Sequence, residues 1–158
     1  MRGFRWIFPA VLVALITACT PGDDEFGAAA DGYPADTMKV VGGVDWSDAK
    51  KLTLELSEFK FIPDALAFRT GQPYALTLVN SGALPHTFAA GDFFRAIAVK
   101  SLLYSDGEAG FPKLEAISLA ANESKTLFFV PVTPGNYDLT CNELLHANFG
   151  MVGQIQIR

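Results

Sequence analysis

The sequence predicts an all-β domain, a sandwich or barrel of short antiparallel strands with a short helical insertion. Three observations predict it. Apolar and polar residues alternate with period two over short runs, and Leu52-Thr53-Leu54-Glu55-Leu56 is the clearest. Turn residues separate those runs at close intervals, as in Pro63-Asp64, Gly71-Gln72-Pro73 and Ser81-Gly82. Helical spacing occurs in one segment only.

The strands follow in order. Leu52–Leu56 is continued by Phe59-Lys60-Phe61 up to Pro63-Asp64, where the chain turns. A short strand is expected over Leu66–Thr70 and a longer one over Tyr74–Asn80. His86-Thr87-Phe88-Ala89 is brief, and Lys125–Val130, Asn136–Thr140 and Val152–Ile157 complete the set. The exception begins at Asp92, which is placed to cap a helix. Phe93, Phe94, Ile97, Ala98, Leu102 and Leu103 then recur on a roughly helical period. Asp92–Pro112 therefore reads as a helix-bearing insertion. An amphipathic stretch usually just buries its apolar face, so a lid over one end of the core is favoured over a partner-docking surface.

The chain has 158 residues, 17 of them acidic and 12 basic, and half are apolar. That length fits one domain and an appendage, with enough chain to bury a core without cross-links. A formal charge of −5 argues against nucleic acid as a partner, because a phosphate-reading surface needs clustered Lys and Arg. Two cysteines exclude a disulfide-rich scaffold.

The first 18 residues read as an export signal. Arg2 and Arg5 precede the apolar stretch Trp6–Ile16, which is too short to span a bilayer as a stable helix. The end of this segment, Leu15-Ile16-Thr17-Ala18-Cys19, resembles a bacterial lipobox, which implies cleavage before Cys19 and lipidation of its sulfur. A plain secretory signal is the alternative. Thr20 after the cysteine points weakly to the outer membrane. Cleavage would remove Arg2 and Arg5 but no acid, leaving 10 basic residues against 17 acidic. Residues 19–43, rich in Gly, Ala, Asp and Pro, read as a lipidated flexible tether, and residues 44–158 as the folded domain.

With Cys19 lipidated, Cys141 is the one free thiol, a liability in an oxidising compartment unless something occupies it. Cys141, His146 and Met151 fall within eleven residues, between two expected strands. The other histidine, His86, opens a different strand after Asn80-Ser81-Gly82-Ala83-Leu84-Pro85. In a Greek-key sandwich these two places can meet at one pole. Two imidazoles and a thiolate in one plane, with a weak axial thioether, suit a blue-copper electron-transfer centre. Taken singly, each residue has an ordinary explanation: a buried thiol as a small hydrophobe, a histidine satisfied at a strand end, a methionine as packing. Taken together, those explanations require both histidines and the free thiol to reach ligand spacing by accident.

Residues 51–158 resemble the cupredoxins, the plastocyanin and azurin family. Phe59-Lys60-Phe61-Ile62-Pro63 with Arg69-Thr70-Gly71 is similar to the first hairpin of that family. Asn80-Ser81-Gly82 with Pro85-His86 is similar to its first-ligand region. Tyr137-Asp138-Leu139-Thr140-Cys141, then His146, then Gly150-Met151-Val152-Gly153, is similar to its closing loop. The resemblance implies a Greek-key cupredoxin sandwich holding one mononuclear type 1 copper, with His86, Cys141, His146 and Met151 as ligands. It departs from the family at Leu144-Leu145, where Pro-Gly usually precedes the second histidine. The Cys141-Asn142-Glu143-Leu144 run also resembles a binuclear copper-A loop, but position 145 is Leu where a second Cys would be needed. Thr87 is placed for a hydrogen bond that joins the two ligand loops. Glu143 is placed to tune the charge of the site or to be a solvated loop residue. Phe88 and Phe149 are expected to exclude water from the metal, and Trp46 is uninformative.

The function expected is one-electron transfer, without enzymatic activity of its own, because both histidines are committed to the metal. The protein would be a monomer held by its lipid on the periplasmic side of a membrane. It would exchange electrons with a cytochrome, oxidase or reductase. The alternative is a copper chaperone, buffer or resistance factor using the same ligands. No Met- or His-rich run of exchangeable donors is present to favour it.

Overall fold

A computed structural model describes residues 31–158. The expected leader, Cys19 and the tether up to residue 30 lie outside the described residues. Eleven strands form two sheets: β1 (Lys50–Ser57), β2 (Lys60–Ile62), β3 (Ala65–Phe68), β4 (Tyr74–Asn80), β5 (His86–Ala89), β6 (Ile97–Tyr104), β7 (Gly107–Gly110), β8 (Ala116–Leu119), β9 (Ser124–Pro131), β10 (Gly135–Thr140) and β11 (Val152–Ile157). One sheet has the order β2-β1-β4-β9-β6-β7 and the other β3-β11-β10-β5-β8. Two short helices accompany them, α1 (Thr37–Gly42) and α2 (Gly91–Arg95).

Strand alternation builds the core. Leu54 and Leu56 of β1, Leu76 and Leu78 of β4, and Leu127 and Phe129 of β9 are buried from one sheet. Phe68, Phe88, Ile117, Leu119, Leu139, Ile155 and Ile157 are buried from the other. The two sets belong to one apolar cluster. Phe93 and Phe94 of α2 join it fully buried, with Phe93 stacked on Phe68 at 5.7 Å between centroids.

The structure corrects three expectations. The sandwich is not purely antiparallel: β1 runs parallel to β4, and β3 parallel to β11. The expected helix of the insertion is only the five residues of α2, after which the chain enters β6, paired with β9 along its length. Two features hid that strand. Ile97, Ala98 and Val99 are all buried, so inside and outside do not alternate, and a bulge between Val99 and Ser101 shifts the register. Strand β8 is likewise not marked in the sequence, since its alternation lasts only the four residues Ala116-Ile117-Ser118-Leu119.

The third difference concerns residues 31–43, read from sequence as tether. Helix α1 packs against β6 and β9. The Tyr33 hydroxyl lies 2.9 Å from both the Leu114 carbonyl and the Glu115 carboxylate. Lys113 pairs with Asp31 and sits over the Tyr33 ring. Trp46 donates from Nε1 to the Val41 carbonyl at 3.0 Å, and Lys100 lies 4.6 Å from its ring centroid. An amphipathic strap thus covers the outer side of a strand that would otherwise expose apolar surface.

Candidate metal centre

The four residues singled out in the sequence meet at one pole, three of them at strand ends and His146 in the loop between β10 and β11. His86 is the first residue of β5, Cys141 follows the last residue of β10, and Met151 precedes the first residue of β11. Strands β10 and β11 are antiparallel partners with Thr140 opposite Val152, which sets Cys141 beside Met151. The Cys141 N–H donates to the Met151 carbonyl at 3.1 Å, and the Met151 N–H donates to the His146 carbonyl at 3.0 Å. Strand β5 meets β10 through Ala89 and Thr140, so the histidine-bearing strand enters beside the cysteine-bearing one.

Two loops complete the pole. Asn80, buried at the end of β4, donates from Nδ2 to the carbonyls of Leu84 (2.9 Å) and Ala120 (2.9 Å). Its Oδ1 accepts the Gly82 N–H at 2.9 Å, so one side chain holds the loop before His86. In the loop after Cys141, the His146 N–H donates to the Glu143 carbonyl at 3.1 Å. Leu145 takes φ of 66° and Gly150 takes φ of 98°. The Leu144-Leu145 departure is thereby accommodated: a leucine adopts the left-handed backbone that glycine takes most easily.

His86 Nδ1 and His146 Nδ1 are 3.2 Å apart. Cys141 Sγ lies 3.9 Å from the first and 3.5 Å from the second. His86, Cys141, His146 and Met151 are all buried. Two imidazole nitrogens that face each other can share only one proton, so the triangle presents lone pairs that a cation would satisfy. An ion about 2.0–2.3 Å from each donor in a plane would space the donors by about 3.5–3.8 Å, close to the separations observed. His86 is held below its ordinary protonation range, first by burial and then by the neighbouring His146. It is therefore a neutral ligand-ready ring. Thiolate, imidazole and thioether donors of this number and softness fit one copper ion.

The surrounding groups lock the donors. The Thr87 N–H donates to Cys141 Sγ at 3.4 Å, a contact suited to a sulfur carrying negative charge. Thr87 Oγ1 donates to the Glu143 carboxylate at 2.8 Å, which makes the expected link between the two ligand loops. Phe88 is fully buried, while Phe149 is largely exposed. Phe149 acts through Phe59, whose ring lies 5.1 Å from Phe149 and 5.1 Å edge-on from His146. In the sequence Phe59 stands out only as part of a hairpin. The signal was its position in the two-residue turn between β1 and β2, where φ of 59° turns it toward the pole.

No family model and no curated relative matches the sequence. Solved structures do match the fold. A multi-copper oxidase from Pseudomonas Thermotolerans superposes with a TM-score of 0.57 at 19% identity, over 72% of this chain and 31% of that one. A Cu-containing nitrite reductase from Thermus scotoductus superposes with a TM-score of 0.56 at 16% identity, over 77% of this chain and 33% of that one. Auracyanin from Roseiflexus castenholzii matches with a TM-score of 0.48 at 18% identity, over 70% of this chain and 98% of that one. The chain thus spans about a third of the oxidase and of the reductase. The fold it shares with them is the cupredoxin sandwich, as the strand order and the polar cluster of donors lead one to expect.

Proposed function

We propose that this cupredoxin-fold chain is a one-electron carrier with a single type 1 copper centre, tethered on the periplasmic side of a membrane by lipid on Cys19. The observation that carries the reading is the buried His86–Cys141–His146 triangle with Met151 beside it. In this assignment His86, Cys141 and His146 would hold the ion most tightly and the Met151 thioether would be the weak fourth donor. Bound copper would supply the one-electron couple. The neighbours above are copper proteins by name, which agrees with this choice of metal.

The chain's own residues supply rigidity and access. The three ligand-bearing strands β5, β10 and β11 are neighbours in one sheet, and Asn80, Thr87 and Glu143 tie the intervening loops, which limits rearrangement between oxidation states. Burial of all four donors favours a resident ion over the exchangeable one of a chaperone. His146 keeps 7% of its surface exposed, more than the other three. Leu144, Leu145 and Phe149 of its loop, and Leu84 of the loop before His86, are exposed apolar side chains, a surface suited to brief docking of a redox protein. The reading includes no catalytic role for the chain, whose histidines both belong to the metal site. The lipobox-like end of the leader supports the tether, and with it the periplasmic location.

The test is a visible and EPR spectrum of the chain after copper addition, followed by a redox cycle. The reading expects an intense colour and a small copper hyperfine splitting that vanish and return on reduction and reoxidation. A colourless Cu(II) complex that loses its metal readily would point instead to copper handling.

A further inference from the structure

The turn between β1 and β2 brings neighbouring side chains against both histidines. Phe59 covers His146. Glu58 sits on the side of His86. The Glu58 carboxylate accepts the Ala83 N–H at 2.6 Å, and this bond holds it below the usual carboxylate range, so it is charged. Between carboxylate and ring lies Gly82. A Cβ at position 82 would stand 2.6 Å from Glu58 Oε1 and 2.9 Å from His86 Nε2. A side chain there would collide with both groups, and its absence lets them approach the same point. His86 Nε2 is itself buried without a hydrogen-bond partner.

We infer that Glu58 is a positioning residue for His86: across the gap left by Gly82, its carboxylate favours the tautomer with the proton on Nε2 and so leaves Nδ1 free for the metal. His86 faces Cys141 and His146 with Nδ1, and a neutral ring that binds through one nitrogen carries its proton on the other. Metal-bound histidines generally direct that second N–H at a carboxylate, carbonyl or water. Glu58 is the carboxylate that shares with Nε2 the space at Gly82. Its negative charge also favours the more positive of two metal oxidation states, which lowers the reduction potential of a bound copper. The inference rests on the copper reading for the potential, and on the protein alone for the tautomer.

The experiment is nitrogen NMR of the histidine rings in the metal-free chain, at a pH where both rings are neutral. In the unaltered chain His86 should carry its proton on Nε2. Glu58→Gln keeps an oxygen to accept the Ala83 N–H but removes the charge. Gly82→Ala crowds both groups and forces the carboxylate and the ring apart. Both should shift His86 toward the Nδ1-protonated form, and the copper-loaded Glu58→Gln chain should show a raised potential. A carboxylate that merely caps its loop would change stability and leave tautomer and potential alone. The inference is overturned if His86 already carries its proton on Nδ1 in the unaltered chain, or if neither variant moves the tautomer. Because the tautomer is measured without metal, either result leaves the copper reading standing. Failure of the unaltered chain to take up copper would remove that reading alone.

Discussion

Thr87 Oγ1 donates to the Glu143 carboxylate at 2.8 Å, which joins the residue after one histidine to a residue two places beyond the cysteine. The same Thr87 gives its N–H to Cys141 Sγ. One residue therefore fixes the sulfur from its backbone and the sulfur's loop from its side chain. Thr87→Val keeps the shape and the N–H but deletes the hydroxyl. Loss of a hydrogen bond to a charged, half-buried partner should cost about 1–2 kcal/mol. Thermal unfolding should show a fall of a few degrees. In a double-mutant cycle with Glu143→Gln, the two effects should be clearly less than additive; full additivity would deny the link.

Cys141 is the free and buried thiol of the described residues. Cys141→Ser replaces the soft donor by a hard one of similar size. The visible band of the copper-loaded chain should disappear. Burial of a hydroxyl in its place should cost about 1–3 kcal/mol, leaving the fold in place. Circular dichroism and absorption measured on the same sample separate the outcomes, and a retained band would exclude Cys141 from the ligands.

Met151 is fully buried, and its backbone bonds Cys141 and His146 without help from its side chain. Met151→Leu is close to volume-conserving, so stability should change by less than about 1.5 kcal/mol. Copper should still bind, with an altered reduction potential by titration against redox mediators. Loss of the metal would show that the thioether does more than an axial donor should.

Leu145 pays for its loop with a left-handed backbone, φ of 66°, while its side chain is more than half exposed. A non-glycine residue there costs about 1–2 kcal/mol, against roughly 0.5–1 kcal/mol of extra chain entropy lost by glycine. Leu145→Gly should therefore stabilise the chain by about 0.5–1 kcal/mol and leave the copper spectrum unchanged. Chemical denaturation checks the sign. A destabilised variant would mean that the exposed leucine is packed against something in solution.

Much of this architecture is legible in the one-dimensional pattern. Leu52–Leu56 shows because alternation survives in a half-buried strand, and the fully buried His86–Ala89 shows because of the turn residues that precede it. The ligand loop shows because Cys141, His146 and Met151 are close in sequence and chemically unusual together. Strand β6 does not show, because the strap over it buries consecutive residues and a bulge shifts its period. The strap itself reads as a tether because its contacts, Tyr33 to Leu114 and Lys113 to Asp31, are made with residues some eighty positions away. Local composition carries no record of them.

By itself the sequence determined which atoms are available to the metal: two imidazoles, one thiolate and one thioether, placed at the ends of strands and in the loop between two of them. It does so because donor chemistry belongs to the side chain and strand ends are marked by local turns. Only the tertiary structure decided how those atoms face one another and what stands behind them. The pairing of β5 with β10 brings Nδ1 of residue 86 to 3.9 Å from the sulfur. The turn of β1 and β2 sets Glu58 and Phe59 behind the two rings. Such placements depend on sheet register and on contacts between residues distant along the chain, and no local spacing encodes them.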